Sequence, residues 1–232
     1  MGAGFHQRIC AGRERRPRDS LGIAQTSSYN PWVELHPIIK HRNVYLRYPR
    51  GFCNCAVIVL LTLQAIILHL YGQPTLSKTH TLMLWVGDVL SPENSQQLTD
   101  WYTFTHIIHG FIFYLFLWLI FPWLAFWQRF AFAVGVEVAW ELVENTPIVI
   151  QHYRQQTLAQ GYVGDSIINS LSDTCAMIVG FFIAWRLPVL ATISIGIFLE
   201  LWTGYWIHDN LTLNILGFFW TPDFIARWQQ VR

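Results

Sequence analysis

The stretch FAFAVGVEVAWELVEN, residues 130–145, sets three acids, Glu137, Glu141 and Glu144, into an otherwise apolar run. Their i, i+4, i+7 spacing places all three on one face of a helix. The run is long enough to help cross a bilayer. Carboxylates in hydrocarbon are costly unless they face a partner, an ion or a water-filled cavity. Working outward from this face, the chain offers His106 and His109, Asp165 and Asp173, Glu200, and the pair His208–Asp209 as partners.

Composition sets the class. Of the 232 residues, 53% are hydrophobic and only 12% are charged, against about 25% charged in a soluble domain. With several apolar runs of near membrane length, this reads as a polytopic membrane protein. A net charge of +1 gives no sign of a nucleic-acid partner. The distribution says more: nine of the fifteen Lys and Arg residues precede position 51, and seven of the fourteen acids fall between Glu137 and Asp209. The four cysteines, Cys10, Cys53, Cys55 and Cys175, lack paired spacing and read as free thiols. The Arg-rich N-terminus has no apolar stretch, so it is no secretory signal.

The fold expected is all-α, a membrane helix bundle. Five segments of about 20 residues are spans: Phe52–Tyr71, Tyr102–Trp123, Phe126–Asn145, Ser166–Leu187 and Pro188–Ile207. A sixth run, Leu211–Trp220, is too short to cross and reads as an interfacial or re-entrant helix. Aromatic residues near the span ends, among them Tyr71, Trp101, Trp123, Trp185 and Trp206, fit membrane-interface belts. The chain thus divides into a disordered basic tail (1–30), a cytoplasmic juxtamembrane segment (31–51), a five-span domain (52–207) and a periplasmic or interfacial segment (208–232). Arg42, Arg47 and Arg50 place the N-terminus in the cytoplasm.

Alternation then predicts a convergence. Counting about 1.5 Å per residue from the outer boundary, His109, Glu137, Asp173 and Glu200 share a depth of roughly 10 Å. His106, Glu141, Asn169 and Tyr205 form a shallower layer, and Glu144, Asp165, His208 and Asp209 line the mouth. One outward-facing polar cavity is expected. Each residue also has a plainer reading. The histidines could bond to backbone, Asp165 could cap the fourth span, Glu144 could be solvated at a helix end, and Asp209–Asn210 could be a turn. Glu137, Glu141, Asp173 and Glu200 lie too deep for such readings to come first.

Histidines at i, i+3 with facing carboxylates form a site for a divalent metal, Zn²⁺, Mn²⁺ or Fe²⁺. A metal would let several carboxylates stay ionised together. In that scheme His106, His109, Glu137 and Asp173 are ligands, Glu141 is the general base, and Glu200, counted with it among the catalytic residues, supports the ligands from behind. The chemistry expected is metal-dependent hydrolysis or group transfer on a lipid-linked or phosphate-containing substrate, with membrane lipid as the partner. Two other classes fit the same residues: a proton- or cation-coupled transport or binding protein, and a non-catalytic membrane assembly factor.

The stretches DWYTFTHIIHGFIFY (100–114), EVAWELVENTPIVIQHYR (137–154) and GYVGDSIINSLSDT (161–174) resemble uncharacterised protein family 0314, also known as domain of unknown function 2585. The resemblance spans roughly residues 55–222. It implies a multi-pass protein of the bacterial inner membrane, and it implies no activity, cofactor or catalytic residue. The Arg-rich first thirty residues lie beyond the shared part.

Overall fold

Each long apolar run folds as one helix, because a helix satisfies its backbone amides without water. A computed structural model describes residues 50–156, 158 and 160–230. The expected tail 1–30 and nearly all of segment 31–51 lie outside the described residues. Among those described, the order is α1 (Arg50–Leu70), α2 (Thr103–Ile120), α3 (Phe126–Glu144), α4 (Pro147–Arg154), α5 (Ile167–Arg186), α6 (Val189–Ile207), α7 (Leu211–Gly217) and α8 (Asp223–Gln230). The architecture is all-α. Two short helices were not foreseen: α4, between the third and fourth expected spans, and α8, in the tail after Trp220.

Local chemistry sets the boundaries. Ser166 caps α5, its side chain accepting from the Asn169 amide at 3.2 Å. Asp165 is therefore not the cap, contrary to the plainer reading of that residue. Pro147 opens α4, where its missing N–H costs nothing. Asn210 caps α7 by accepting from the Leu213 amide at 2.9 Å.

Four helices, α1, α2, α5 and α6, are long and apolar enough to cross a membrane. The chain thus has the make-up of a multi-pass membrane protein. α3 has the length, with 19 residues, but carries Arg129, Glu137, Glu141 and Glu144 and does not join that set by composition.

Side-chain pairings fix the directions. His106 of α2 lies near Asp173 of α5, and further along Tyr114 meets Phe181 at 5.2 Å between ring centroids. α2 and α5 therefore run parallel. α3 runs the opposite way, bringing Glu137 to His106 and Phe130 to Phe181. α1 follows α3, from Arg50 over the Trp127 ring at one end to Gln64 bonded to Ser170 near the other. α6 returns alongside α2 and ends with Asp209 at Tyr102.

The bundle consequently has two unlike ends. One is an aromatic pack in which Phe126, Trp127, Phe130, Phe181, Phe182 and Trp185 stack edge and face. The other gathers the polar side chains. α2 and α5 meet at glycines: a Cβ on Gly110 would collide with the Met177 carbonyl, and one on Gly180 with the Ile107 carbonyl. Such close backbone approach is how membrane helices pack without bulky side chains.

The segment between α1 and α2 covers the polar end. The amides of Ser166, Ile167 and Ile168 donate to the carbonyls of Ser95, Pro74 and Thr75 at 2.9, 2.9 and 3.3 Å. Gln96 donates to the Gly164 carbonyl at 2.8 Å. Asn169 donates to that of Gln97 at 2.8 Å. Asn169, expected to line the cavity, instead holds this cover in place.

Candidate functional site

Glu137 lies at the centre of the polar end with 0% of its surface exposed. One oxygen accepts from His106 Nδ1 at 2.6 Å and the other from His109 Nδ1 at 3.1 Å. The i, i+3 spacing of the histidines on α2 puts both rings against the same acid. With Glu137 ionised the carboxylate only accepts, and each Nδ1 would then carry its proton. Glu141, one turn up α3, brings an oxygen within 3.4 Å of His106 Nδ1. Its other oxygen accepts from the Ser170 hydroxyl at 2.6 Å. The Glu141 oxygen facing His106 is buried and has no hydrogen-bond partner among the described residues.

The second nitrogen of His106 faces Asp173, with Nε2 and Oδ2 3.9 Å apart. Thr103 donates to the other Asp173 oxygen at 3.1 Å. Two groups of ligand atoms lie close enough to hold one metal ion: His106, His109 and Glu137, and His106, Glu141 and Glu144. Asp173, expected as a fourth ligand, belongs to neither; it sits at the far side of the His106 ring.

A cavity of about 300 Å³ opens beside this cluster. His106, His109, Glu144, Asp165, Asp173 and Asp209 all reach it, as do Tyr102, Trp140, Tyr153 and Tyr162. Asp165 is held by Asn145 Nδ2 at 2.7 Å and by the Tyr162 hydroxyl at 3.0 Å. Burial nevertheless pushes its carboxyl up to about 6. Asp209 accepts from the Tyr102 hydroxyl at 3.1 Å and from Asn214 at 3.2 Å. Burial outweighs those bonds and pushes it up to about 7. Asp100, buried within the cover, is raised for the same reason.

Three expected cavity residues lie elsewhere, besides Asn169. The Glu200 carboxylate accepts from the Leu211 and Thr212 amides at 3.0 and 3.1 Å and from the Thr212 hydroxyl at 2.6 Å. It caps the first turn of α7 and does not reach the cavity. Tyr205 is 73% exposed on the outer face of α6, its helical phase turning it away from the bundle. His208 ends α6 in the left-handed conformation, φ 55°, with its ring stacked on Trp228 at 4.5 Å. That turn folds α7 back beside α6, which is what brings its amides to Glu200.

Other residues act here without having been foreseen. Gln64 of α1, 0% exposed, donates to the Ser170 hydroxyl at 2.8 Å and accepts from Thr174 at 3.0 Å. Together with the Ser170–Glu141 bond it ties α1 to the acid. A lone glutamine in an apolar run was the available signal, since such a group needs partners. Trp140 and Tyr153 carried no such signal, because aromatics are common everywhere in this chain.

The family model described as a protein of unknown function, DUF2585, matches residues 68–231. That model runs through α8 and leaves most of α1 outside its match. A UPF0314 protein of Agrobacterium fabrum is 50% identical over 170 residues, covering 73% of this chain and 86% of the relative. One of Rhizobium meliloti is 49% identical over 177 residues, 75% and 88% of the two chains. One of Sphingopyxis alaskensis is 48% identical over 170 residues, 73% and 90%. No solved structure matches the chain. With half the residues identical across most of both chains, this protein belongs to the UPF0314 family.

Proposed function

We propose that the protein is a metal-dependent membrane hydrolase or transferase whose ion is held by His106, His109 and Glu137. The observation that carries this reading is the fully buried Glu137 carboxylate shared by two imidazole Nδ1 atoms. Two histidines and one glutamate are a recurrent catalytic zinc set that leaves a position open for water. An ion would take the place of the two Nδ1 protons, since ligands bind metal deprotonated. Asp173, with Oδ2 3.9 Å from His106 Nε2, is too far for a hydrogen bond and would steady the ring by charge alone. Glu141, with a bare oxygen beside His106, is the general base.

α3 serves as a fifth span in this reading. α2 and α5 run parallel, so the chain must return across the same thickness between them, and α3 is the segment that does so. Its outer face carries exposed Phe132, Val136 and Val143, suited to lipid. With the N-terminus in the cytoplasm, the cavity faces outward from a bacterial inner membrane, and a lipid-linked substrate enters from the outer leaflet. Transport by the monomer fits less well, because the aromatic pack fills the opposite end of the bundle.

Metal analysis of the purified protein tests the reading. About one divalent ion per chain is expected, falling at least tenfold in His106→Ala and Glu137→Gln, in line with loss of one ligand or its support. Wild-type protein that stays metal-free when offered Zn²⁺, Mn²⁺ and Fe²⁺, and whose melting a chelator leaves unchanged, would remove the proposal.

A further inference from the structure

Acids rather than lysines or arginines line the cavity wall among the described residues. Glu144, Asp165, Asp173 and Asp209 reach it, and no Lys or Arg does among the described residues. Among the described residues, the donors to Asp165 and Asp209 are neutral. Glu141, just behind, keeps a buried oxygen that lies 3.4 Å from His106 Nδ1 and has no hydrogen-bond partner among the described residues. A wall of this kind suits a phosphate poorly, since no Lys or Arg among the described residues lines it to meet the charge.

The aromatic part of the wall is equally specific. Trp140, Tyr153 and Tyr162 border the cavity. Tyr153 meets Tyr162 edge to face at 5.5 Å, and Phe218 packs behind against both Trp140 and Tyr153, at 5.9 and 5.4 Å. The rings are therefore locked in place. Glu144 faces Trp140 and Tyr153, and Asp165 holds Tyr162. Aromatic faces with flanking carboxylates attract ammonium groups through ring quadrupole and charge together, and do little for a neutral group of the same shape.

We propose that the space between Trp140, Tyr153 and Tyr162 binds an organic ammonium group, carried by an amine-bearing lipid headgroup or by a free amine. The assignment rests on the reading above only in taking this cavity as the substrate site, and it needs no metal. A bound cation would favour the ionised carboxylates of Glu144 and Asp165 beside it, and the rings would displace its water.

Calorimetry on the full chain in detergent, stripped with EDTA, tests this with choline, its neutral isostere 3,3-dimethylbutan-1-ol, and inorganic phosphate. Choline should bind saturably and at least about tenfold more tightly than the isostere, the scale of a desolvated cation–π contact. Trp140→Ala should weaken choline by about tenfold, and Trp140→Phe should recover part of that. Glu144→Gln should weaken choline and leave the isostere unchanged. Equal binding of choline and isostere, tighter binding of phosphate, or no choline binding in the wild type would each overturn the proposal. Because the protein is metal-free, these outcomes are independent of metal content, which tests the other reading. Repeating the titration in nanodiscs separates the sources. Choline displaced by phosphatidylethanolamine discs but not by phosphatidylglycerol discs assigns the lipid headgroup; choline bound equally in both assigns a free amine.

Discussion

At the scale of single residues, position in the hydrogen-bond network decides what an acid does. Glu200 and Glu137 are both glutamates inside apolar helices, yet one closes the N-terminus of α7 and the other holds two histidines. Glu200→Ala should therefore destabilise the fold by about 1 kcal/mol, as loss of a helix cap does, lower the thermal midpoint accordingly, and keep the metal content of the wild type. A loss of metal with unchanged melting would return Glu200 to the site. Asp209 gives a second case, with a definite sign. Burial raises its folded-state carboxyl to about 7, against the ordinary 3.8. Between those values the native chain keeps a proton that the unfolded chain has lost. Its stabilising contribution is then complete below about pH 4 and is lost as pH rises through 7. Asp209→Asn cannot titrate, so its melting should gain on that of the wild type between pH 5 and pH 8. A wild type that gains on the variant over that range would contradict the buried, neutral-bonded carboxyl.

Among the elements, the α2–α5 contact governs the site, because His106 and His109 ride on one helix and Asp173 on the other. A methyl group at Gly110 or Gly180 would meet opposing backbone, which cannot step aside as a side chain can. Gly110→Ala and Gly180→Ala should each destabilise by about 1–3 kcal/mol and lower metal retention. Gly135→Ala should be tolerated, as its Cβ would meet only Leu60 Cδ1 at 3.8 Å. Equal behaviour of all three variants, in unfolding and in metal content, would show that the close crossing does not set the site. The gathering of His106, Glu137, Glu141 and Asp173 was legible in the sequence because it follows from helix rise and alternating direction alone. Tyr205 was misjudged because equal depth says nothing of which way a helix face turns. Glu200 was misjudged because its partner helix returns only through the left-handed turn at His208, a tertiary event with no local pattern. The cover over the site, from Ser95 to Asp100, was invisible for a related reason. Its bonds run from side chains and carbonyls to residues some seventy positions away, and no periodicity records them.

For the whole molecule, polarity is divided between the two ends of one bundle, and the path of the chain connects that division to the membrane. α2 and α5 both run from the polar end to the aromatic end, so the segments just before them, 72–101 and 155–163, belong on one side. A chain crossing only four times, with α3 left out, would put those two segments on opposite faces. Cysteine labelling separates the possibilities. In a background where Cys10, Cys53, Cys55 and Cys175 are replaced by serine, Ser91→Cys and Gln155→Cys should both react with a membrane-impermeant maleimide in intact spheroplasts. Trp123→Cys, in the turn between α2 and α3, should react only after lysis. Reaction of Ser91→Cys with protection of Gln155→Cys would mean that α3 does not cross. The three carboxylates of that helix would then lie outside the bilayer, and a cavity open to the outer leaflet would have to be given up. Reaction at both segments leaves the polar end facing outward, where an amine-bearing headgroup can reach Trp140 without passing the aromatic pack.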